Sequence, residues 1–431
     1  MASIEFWGGL GVIGSSKIMV DDGVNRVLLD IGLDNPVGAD LFRAPVRARE
    51  GRELADRLRV GAAPRIPGLF EPSLLDPGDP IAEPVGDPAA TQVFVSHPHL
   101  DHAGLAGYVR REIGVHTHTD AVDLLDALQA AGIGLPCGHP RWRRLVDGQV
   151  VEVGAIEVEC VAVDHDVPGA CGFLVRTKDG TLAYTGDIRF HGRHPERSEE
   201  FVRRARDADV LVMEGTTLSF SPAEGPQRSE GDVLASFKTI MDAADGLVLI
   251  ALYPMDIERI AECSSAAAAA GRTILWPAPL ASALRRLGIA EATNLATDGH
   301  EGVELAAVHA KPGAFIVQPD PADLPGLLDL PLKPGDVFVH AGGEPLGEFD
   351  PRWRVFRDWL ACLHVELHEI GSGGHASPDE LHAMVERIRP RVVFPVHTFE
   401  PGRLSPALGI QRVVARYGTR YSFSGQDKKL T

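Results

Sequence analysis

The sequence predicts an α/β protein of more than one domain, and three observations carry that expectation. A length of 431 residues allows two or three domains at roughly 150 residues each. Short apolar runs separated by Gly and Asp turns dominate the stretch up to about residue 190, which is how strands read. From about Glu196 onward, longer helical stretches alternate with short apolar runs, the pattern of a parallel α/β unit.

The elements follow in order. Lys17 to Val20 and Val27 to Ile31, separated by Asp21-Asp22-Gly23, read as a hairpin. Residues 34–90 are rich in Pro, Gly and Arg, with one helical stretch around Arg47 to Leu58. So long a connection is expected to be functional or mobile, a lid or an extra contact surface. Val93-Phe94-Val95 reads as a short buried strand, and Val150 to Asp164 and Gly172 to Asp187 as further strands turning at Gly154 and Asp179-Gly180. In the alternating region the strands are Leu211 to Met213, Leu247 to Tyr253, Thr273 to Trp276, Phe315 to Gln318 and Val337 to His340. The run Ala266 to Ala270 is helix interior, since Ala is the strongest helix former. After about Val365 come a strand, a glycine-rich turn, a helix over Pro378 to Ile388 and a strand over Val392 to Val396 that ends in His397.

Composition narrows the function classes. An apolar fraction of 44% and a charged fraction of 24% are ordinary for a globular protein, which sets aside disordered, collagenous and disulfide-scaffold chains. The formal net charge of −18 argues against a protein that coats nucleic acid or anionic membrane through its overall field, though not against a local basic groove. Met1-Ala2-Ser3-Ile4-Glu5 lacks a basic leader and no apolar run reaches the ~20 residues of a membrane span, so the expectation is a cytoplasmic chain with no membrane partner. The 5 cysteines are scattered and never in C-x-x-C spacing, unlike a disulfide framework or a thiolate zinc site.

The 17 histidines are more informative. Ser96-His97-Pro98-His99-Leu100-Asp101-His102 follows an apolar strand directly, and a loop at a strand end can bring alternate side chains to one point. Imidazole with carboxylate suits Zn²⁺- or Mn²⁺-class ions. A pair of metals needs donors beyond one loop, and His165, Asp187 and His397 each stand at the end of a predicted strand.

At these residues a resemblance becomes specific. His97-x-His99-x-Asp101-His102, then His165, then Thr185-Gly186-Asp187, with Asp30 ahead of them, resemble the motifs of the metallo-β-lactamase fold. Met213-Glu214-Gly215-Thr216, Gly373-Gly374-His375-Ala376-Ser377 and Pro395-Val396-His397 resemble the three additional motifs of its β-CASP branch, which contains ribonuclease J and the RNA 3′-processing endonucleases. The implied fold is α/β: a metallo-β-lactamase αββα sandwich over 1–200 and 365–431, with a β-CASP α/β domain inserted over 201–364. The resemblance implies that His97, His99 and His165 hold one divalent ion and that Asp101, His102 and His397 hold a second, with Asp187 bridging and Asp30 orienting the histidine loop. Zn²⁺ is the first choice of metal and Mn²⁺ the alternative. Two such ions ~3.5–4 Å apart lower the pKa of a shared water and clamp the oxygens of a displacement at phosphorus. Asp101 is then placed to accept or orient a proton of that water. His375 is assigned as general acid, with Glu214 fixing its tautomer and favouring its charged form. The implied substrate is single-stranded RNA, cut internally or from the 5′ end.

Some positions depart from that pattern. Ribonuclease J-like chains carry a phosphate-contacting His four residues before the motif histidine, and here that position is Gly371. The chain ends about 30 residues past His397, so assembly through the family's C-terminal module is not expected, and a homodimer by another route stays open. Gly9-Leu10-Gly11-Val12-Ile13-Gly14 matches a dinucleotide fingerprint, but a strand rather than a helix follows it, so a tight connection is the better reading. Arg141-Trp142-Arg143-Arg144 and Pro351-Arg352-Trp353-Arg354 are the best local candidates for an RNA track, against the plainer reading of a Trp anchoring a surface element. The acidic balance and Gly371 also keep open a hydrolase of a small ester, lactone or phosphodiester, and, more remotely, a scaffold that keeps the fold without turnover.

Overall fold

The computed structural model describes residues 1–33, 46–221, 227–296, 299–348 and 350–425. Two seven-stranded sheets and one six-stranded sheet organise them. The first sheet runs, in spatial order, through Arg420–Tyr421, Ser3–Phe6, Ile18–Asp21, Arg26–Leu29, Thr91–Phe94, Gly114–His118 and Trp142–Leu145. The second runs through Gln411–Arg412, Val392–Val396, Val210–Glu214, Gly180–Tyr184, Cys171–Thr177, Ile156–Ala162 and Val150–Val153. Side-chain alternation divides their faces. Val27 and Leu29 enter a core shared with Phe173, Val175, Val212 and Phe394 of the second sheet, while Leu28 between them packs with Val93, Leu54 and Phe70 on the outer side. Phe6 and Phe394 meet across the inner layer with ring centroids 5.0 Å apart. The helices Pro195–Arg204 and Pro378–Ile388 cover the outer face of the second sheet through Phe201, Val202, Leu381 and Met384. The result is the α/β sandwich of the metallo-β-lactamase fold.

The third sheet is all parallel, in the order Thr293–Asn294, Thr273–Trp276, Phe315–Val317, Val248–Leu252, Val337–Ala341 and Glu366–Glu369. Its four inner strands are apolar on both faces, as a sheet covered on both sides requires. It lies between Val210–Glu214 and Val392–Val396 in the chain, yet those two strands pair directly in the second sheet. Sheet membership therefore differs from the sequence cuts at both ends. Leu211 to Met213 lies past residue 200 but belongs to the second sheet, and Glu366–Glu369 lies past residue 364 but belongs to the third. Short apolar strands look alike in sequence wherever they pair.

The long connection also differs from its reading. Residues 34–45 lie outside the described residues, and the rest is no lid. Helix Glu53–Val60 starts later than the sequence suggests, and Leu54, Leu58, Ile66, Leu69, Phe70, Leu75 and Ile81 join the outer core of the first sheet. Arg52 and Arg59 both pair with Asp76, and Arg65 pairs with Asp79.

One buried histidine sets an acid limit on the inner core between the two seven-stranded sheets. His116, stacked on Phe94 with ring centroids 4.6 Å apart, shares a 3.0 Å hydrogen bond with Gln92 through Nε2. Burial, helped by Arg143, pushes its pKa down to about 4. The unfolded chain takes up this proton first, near pH 6.5, so the neutral imidazole's contribution is complete above that pH and falls by about 3 kcal/mol by pH 4. His116→Gln is expected to flatten the loss of stability between pH 6.5 and 4, read from denaturation midpoints of both proteins across that range.

Candidate metal centre

The candidate donors, and Asp30 that supports them, all stand just beyond strand ends. Asp30 follows Arg26–Leu29, the His97 to His102 segment follows Thr91–Phe94, His165 follows Ile156–Ala162, Asp187 follows Gly180–Tyr184, and His397 follows Val392–Val396. Parallel pairing sets these ends side by side: Tyr184 is opposite Val212, and Glu214 is opposite Val396. Asp30 and His397 have positive φ, 58° and 56°, a conformation held by Asp30 N–H to Phe94 O and His397 N–H to Gly9 O, each 2.8 Å.

The fingerprint-like glycines serve the same edge. No helix follows them; strand Ile18–Asp21 does. Gly9 supplies the carbonyl that fixes His397, and Gly14, at φ +89°, leaves room where a Cβ would stand 2.6 Å from Asp101 Oδ2.

Two pockets result, and they contain the seven sequence-named donors. His97, His99, His165 and Asp187 form one; Asp101, His102, Asp187 and His397 form the other, with donor atoms within 4.8 Å of one another in each. In the first, His99 Nδ1 lies 3.1 Å from His97 Nε2 and 3.3 Å from His165 Nε2, and Asp187 Oδ2 is 3.7 Å from His97 Nε2. In the second, His397 Nε2 is 3.0 Å from Asp101 Oδ2, and His102 Nε2 is 3.3 Å from Asp187 Oδ1. Asp30 is fully buried and accepts hydrogen bonds from Ser96 N–H at 2.6 Å, Ser96 Oγ at 2.9 Å and His102 Nδ1 at 2.7 Å.

The donor set fits divalent cations. Burial, with neighbouring imidazoles adding, pushes His97 well below its ordinary pKa, and burial likewise takes His165 to about 4, so both present lone pairs. Burial opposes charge on Asp187, but His102 and His397 hold its carboxyl well below the usual range. His102 Nε2 and Asp187 Oδ1 are buried and satisfy no hydrogen bond. Charged carboxylates and the lone pairs of His97 and His165, with buried polar atoms left unsatisfied between them, are what a cation would satisfy.

Beside the pockets, His375 Nδ1 donates to Glu214 Oε1 at 3.1 Å and lies 3.8 Å from Asp187 Oδ2. Burial works against its charge, yet Glu214 and then Asp187 outweigh it and push the pKa up to about 10. Glu214 is buried and also accepts Thr216 N–H at 3.0 Å and Ile188 N–H at 3.3 Å, so it braces the turn as well as the imidazole. The His375 loop is anchored at its far end by the capping box of Ser377 and Glu380 on helix Pro378–Ile388.

Some of the surroundings were not read from the sequence. Arg189 is buried and donates from Nη1 to Glu230 Oε1 at 2.8 Å and to Gly373 O at 3.2 Å, and from Nη2 to His165 O at 3.0 Å. Arg259 donates to the same Glu230 at 2.6 Å and to Ala341 O at 2.9 Å. This network bolts the helices beside the third sheet onto the loops that carry His165 and His375. Its members are far apart in sequence and carry no motif. Tyr253, at the end of a third-sheet strand, stands over His99 with ring centroids 5.2 Å apart.

The proposed RNA tracks have structural duties instead. Arg144 pairs with Asp123 and Asp126, Trp142 packs against His139 and the outer core, Arg352 pairs with Asp350 and Glu344, and Trp353 is buried against His340. Gly371 has a cause as well. A Cβ there would meet Gly342 N at 2.9 Å and Gly342 Cα at 3.2 Å, both backbone. Gly371→His is therefore expected to lower stability by about 1–3 kcal/mol through overpacking, read as a shifted denaturation midpoint.

A model of the Beta-lactamase superfamily domain matches residues 66–253. Ribonuclease J of Mycolicibacterium smegmatis is 25% identical over 333 residues, 71% of this chain and 58% of that protein. Ribonuclease J of Helicobacter pylori is 21% identical over 421 residues, 90% of this chain and 55% of that protein. The chain is similar to ribonuclease J over most of its length and carries a match to the beta-lactamase superfamily domain. The chain spans a little over half the length of those curated relatives. Over nearly its whole length it is also similar to a crystallised protein of unknown function from Enterococcus faecalis V583, with a TM-score of 0.81, 25% identity, and coverage of 97% of this chain and 99% of that one. Among the described residues no helix is long and apolar enough to cross a membrane.

Proposed function

We propose that the protein is a metal-dependent ribonuclease that hydrolyses phosphodiester bonds of single-stranded RNA, using two divalent ions, Zn²⁺ or Mn²⁺, in the two pockets joined by Asp187. The observation that carries this reading is the shared carboxylate between two complete donor sets, with an imidazole–carboxylate pair 3.8 Å away. His97, His99 and His165 would hold one ion, Asp101, His102 and His397 the other, and Asp187 both. When bound, such ions acidify water and neutralise charge on phosphoryl oxygens. The protein groups do the rest. Asp101 orients the attacking water and takes its proton, and His375, charged through its bond to Glu214, returns a proton to the departing oxygen. Arg189 and Glu230 keep the His375 loop in place while it does so. A three-part division remains our proposal for the domains, with the cuts moved past Glu214 and Glu369 to follow the sheets, and the cytoplasm remains our proposal for the location.

The test follows a 5′-monophosphorylated, end-labelled single-stranded RNA on a denaturing gel, with Zn²⁺- or Mn²⁺-loaded protein and Asp101→Asn as the contamination control. Cleavage by wild type alone supports the reading, and the product ladder separates 5′ trimming from internal cuts. Cleavage by neither loaded form refutes it. A second reading, a hydrolase of a small ester, lactone or phosphodiester, draws on the charge of −18 and on arginines already paired with carboxylates. Turnover of a small chromogenic phosphodiester or lactone with intact RNA would select it.

A further inference from the structure

The histidines of the centre share one arrangement, with a single exception. Each offers one ring nitrogen to a pocket and sets the other against an oxygen. His97 Nδ1 meets Ser96 Oγ at 2.9 Å, His102 Nδ1 meets Asp30 Oδ2 at 2.7 Å, His165 Nδ1 meets Gly374 O at 2.6 Å, and His397 Nδ1 meets Thr216 Oγ1 at 2.7 Å. Such outer partners fix which nitrogen carries the proton and aim the lone pair. His99 is the odd one. It is turned over, so that Nδ1 faces His97 and His165, and its outer nitrogen, Nε2, is buried with no hydrogen-bond partner.

Asp166 stands at that nitrogen. Its Oδ1 is likewise buried and unpartnered, 3.5 Å from His99 Nε2. The same oxygen is 3.2 Å from His165 Nε2. A carbonyl can only accept, so the bond to Gly374 O places the proton of neutral His165 on Nδ1 and leaves Nε2 a lone pair with nothing to give Asp166. The one N–H within reach of Oδ1 on these two rings is then that of His99, and a closure of about half an ångström makes an ordinary charge-assisted bond. The backbone has made room: a Cβ on Gly374 would stand 2.8 Å from Asp166 Oδ2.

We infer that Asp166 is the outer partner of His99, a positioning residue that holds this imidazole with its proton on Nε2 and its Nδ1 lone pair aimed into the first pocket. The inference rests on the two-ion reading above. It gives the first pocket a carboxylate support that matches the one Asp30 gives His102 in the second.

The experiment compares wild type, Asp166→Ala and Asp166→Asn for Zn²⁺ affinity and stoichiometry by competition with a chromophoric chelator, together with histidine ¹H–¹⁵N correlation spectra of the Zn²⁺-loaded proteins. Asn keeps an acceptor oxygen and Ala does not. The expected result is two ions per wild-type chain, a 10–100-fold weaker affinity for one of them in Asp166→Ala, and near-complete recovery in Asp166→Asn. In wild type the His99 proton resides on Nε2, and in Asp166→Ala that signature is lost or mixed. Equal thermal midpoints of the metal-free proteins separate this from a folding defect. An Asp166→Ala chain that binds both ions at wild-type affinity overturns the assignment. So does an Asn variant as weak as Ala, which would make the charged carboxylate itself a donor. A wild-type chain that takes up no divalent ion defeats the two-ion reading and this assignment together, whereas two ions bound with intact RNA defeats the ribonuclease alone.

Discussion

Asp187→Ala is expected to reduce bound divalent ions from two per chain to at most one and to slow RNA cleavage by ~10³-fold or more, since losing even one preorganised donor at a reacting oxygen costs ~10²–10³. The reason is geometric. Oδ1 lies 3.3 Å from His102 Nε2, while Oδ2 lies 3.7 Å from His97 Nε2 and 3.6 Å from His397 Nε2, so one side chain contributes to both pockets. No neighbouring carboxylate can replace it at both, because Asp101 reaches only the second donor set. Asp187→Asn keeps the shape and removes the charge, and a similar loss there shows that the charge matters. Metal content by plasma mass spectrometry and cleavage by gel read the two effects separately. Two tightly held ions in Asp187→Ala would count against a shared donor.

His375→Ala should behave in the opposite way toward metal. It is expected to retain both ions and to lose ~10²–10⁴ in cleavage rate, the usual worth of a positioned proton donor. Its imidazole is a quarter exposed and bonded to Glu214, and it belongs to neither donor group. A substrate whose leaving oxygen is replaced by sulfur needs no proton from the enzyme, so it should be cut nearly as fast by His375→Ala as by wild type. Glu214→Gln should show a smaller defect of the same kind. Loss of metal in His375→Ala, or an undiminished defect on the sulfur substrate, would remove His375 from the role of acid.

What the sequence made legible was local. His97, His99, Asp101 and His102 are visible because they lie within one short loop after an apolar run, and helix Pro378–Ile388 and strand Val392–Val396 coincide with their expected bounds because capping and burial there are decided by neighbouring residues. The pairing of strands was not legible. Val210–Glu214 reads as one more strand of the alternating region, and only its register with Tyr184 and Val396 puts Glu214 at the site. The buried Arg189, Glu230 and Arg259 join residues far apart in the chain, and no spacing rule reveals them. The arginine clusters misled for a related reason: Asp123, Asp126, Asp350 and Glu344 neutralise them only once the chain is folded. Asp166 stood in plain view after His165, but its relation to His99 depends on a ring orientation that sequence does not encode.

Whether two ions sit side by side with Asp187 between them is decided by anomalous diffraction from crystals of Zn²⁺- or Mn²⁺-loaded protein. Two peaks ~3.5–4 Å apart are expected, one within reach of His97, His99 and His165, the other within reach of Asp101, His102 and His397, both touching Asp187. A single peak, or a pair that leaves Asp187 uncoordinated, would contradict that arrangement.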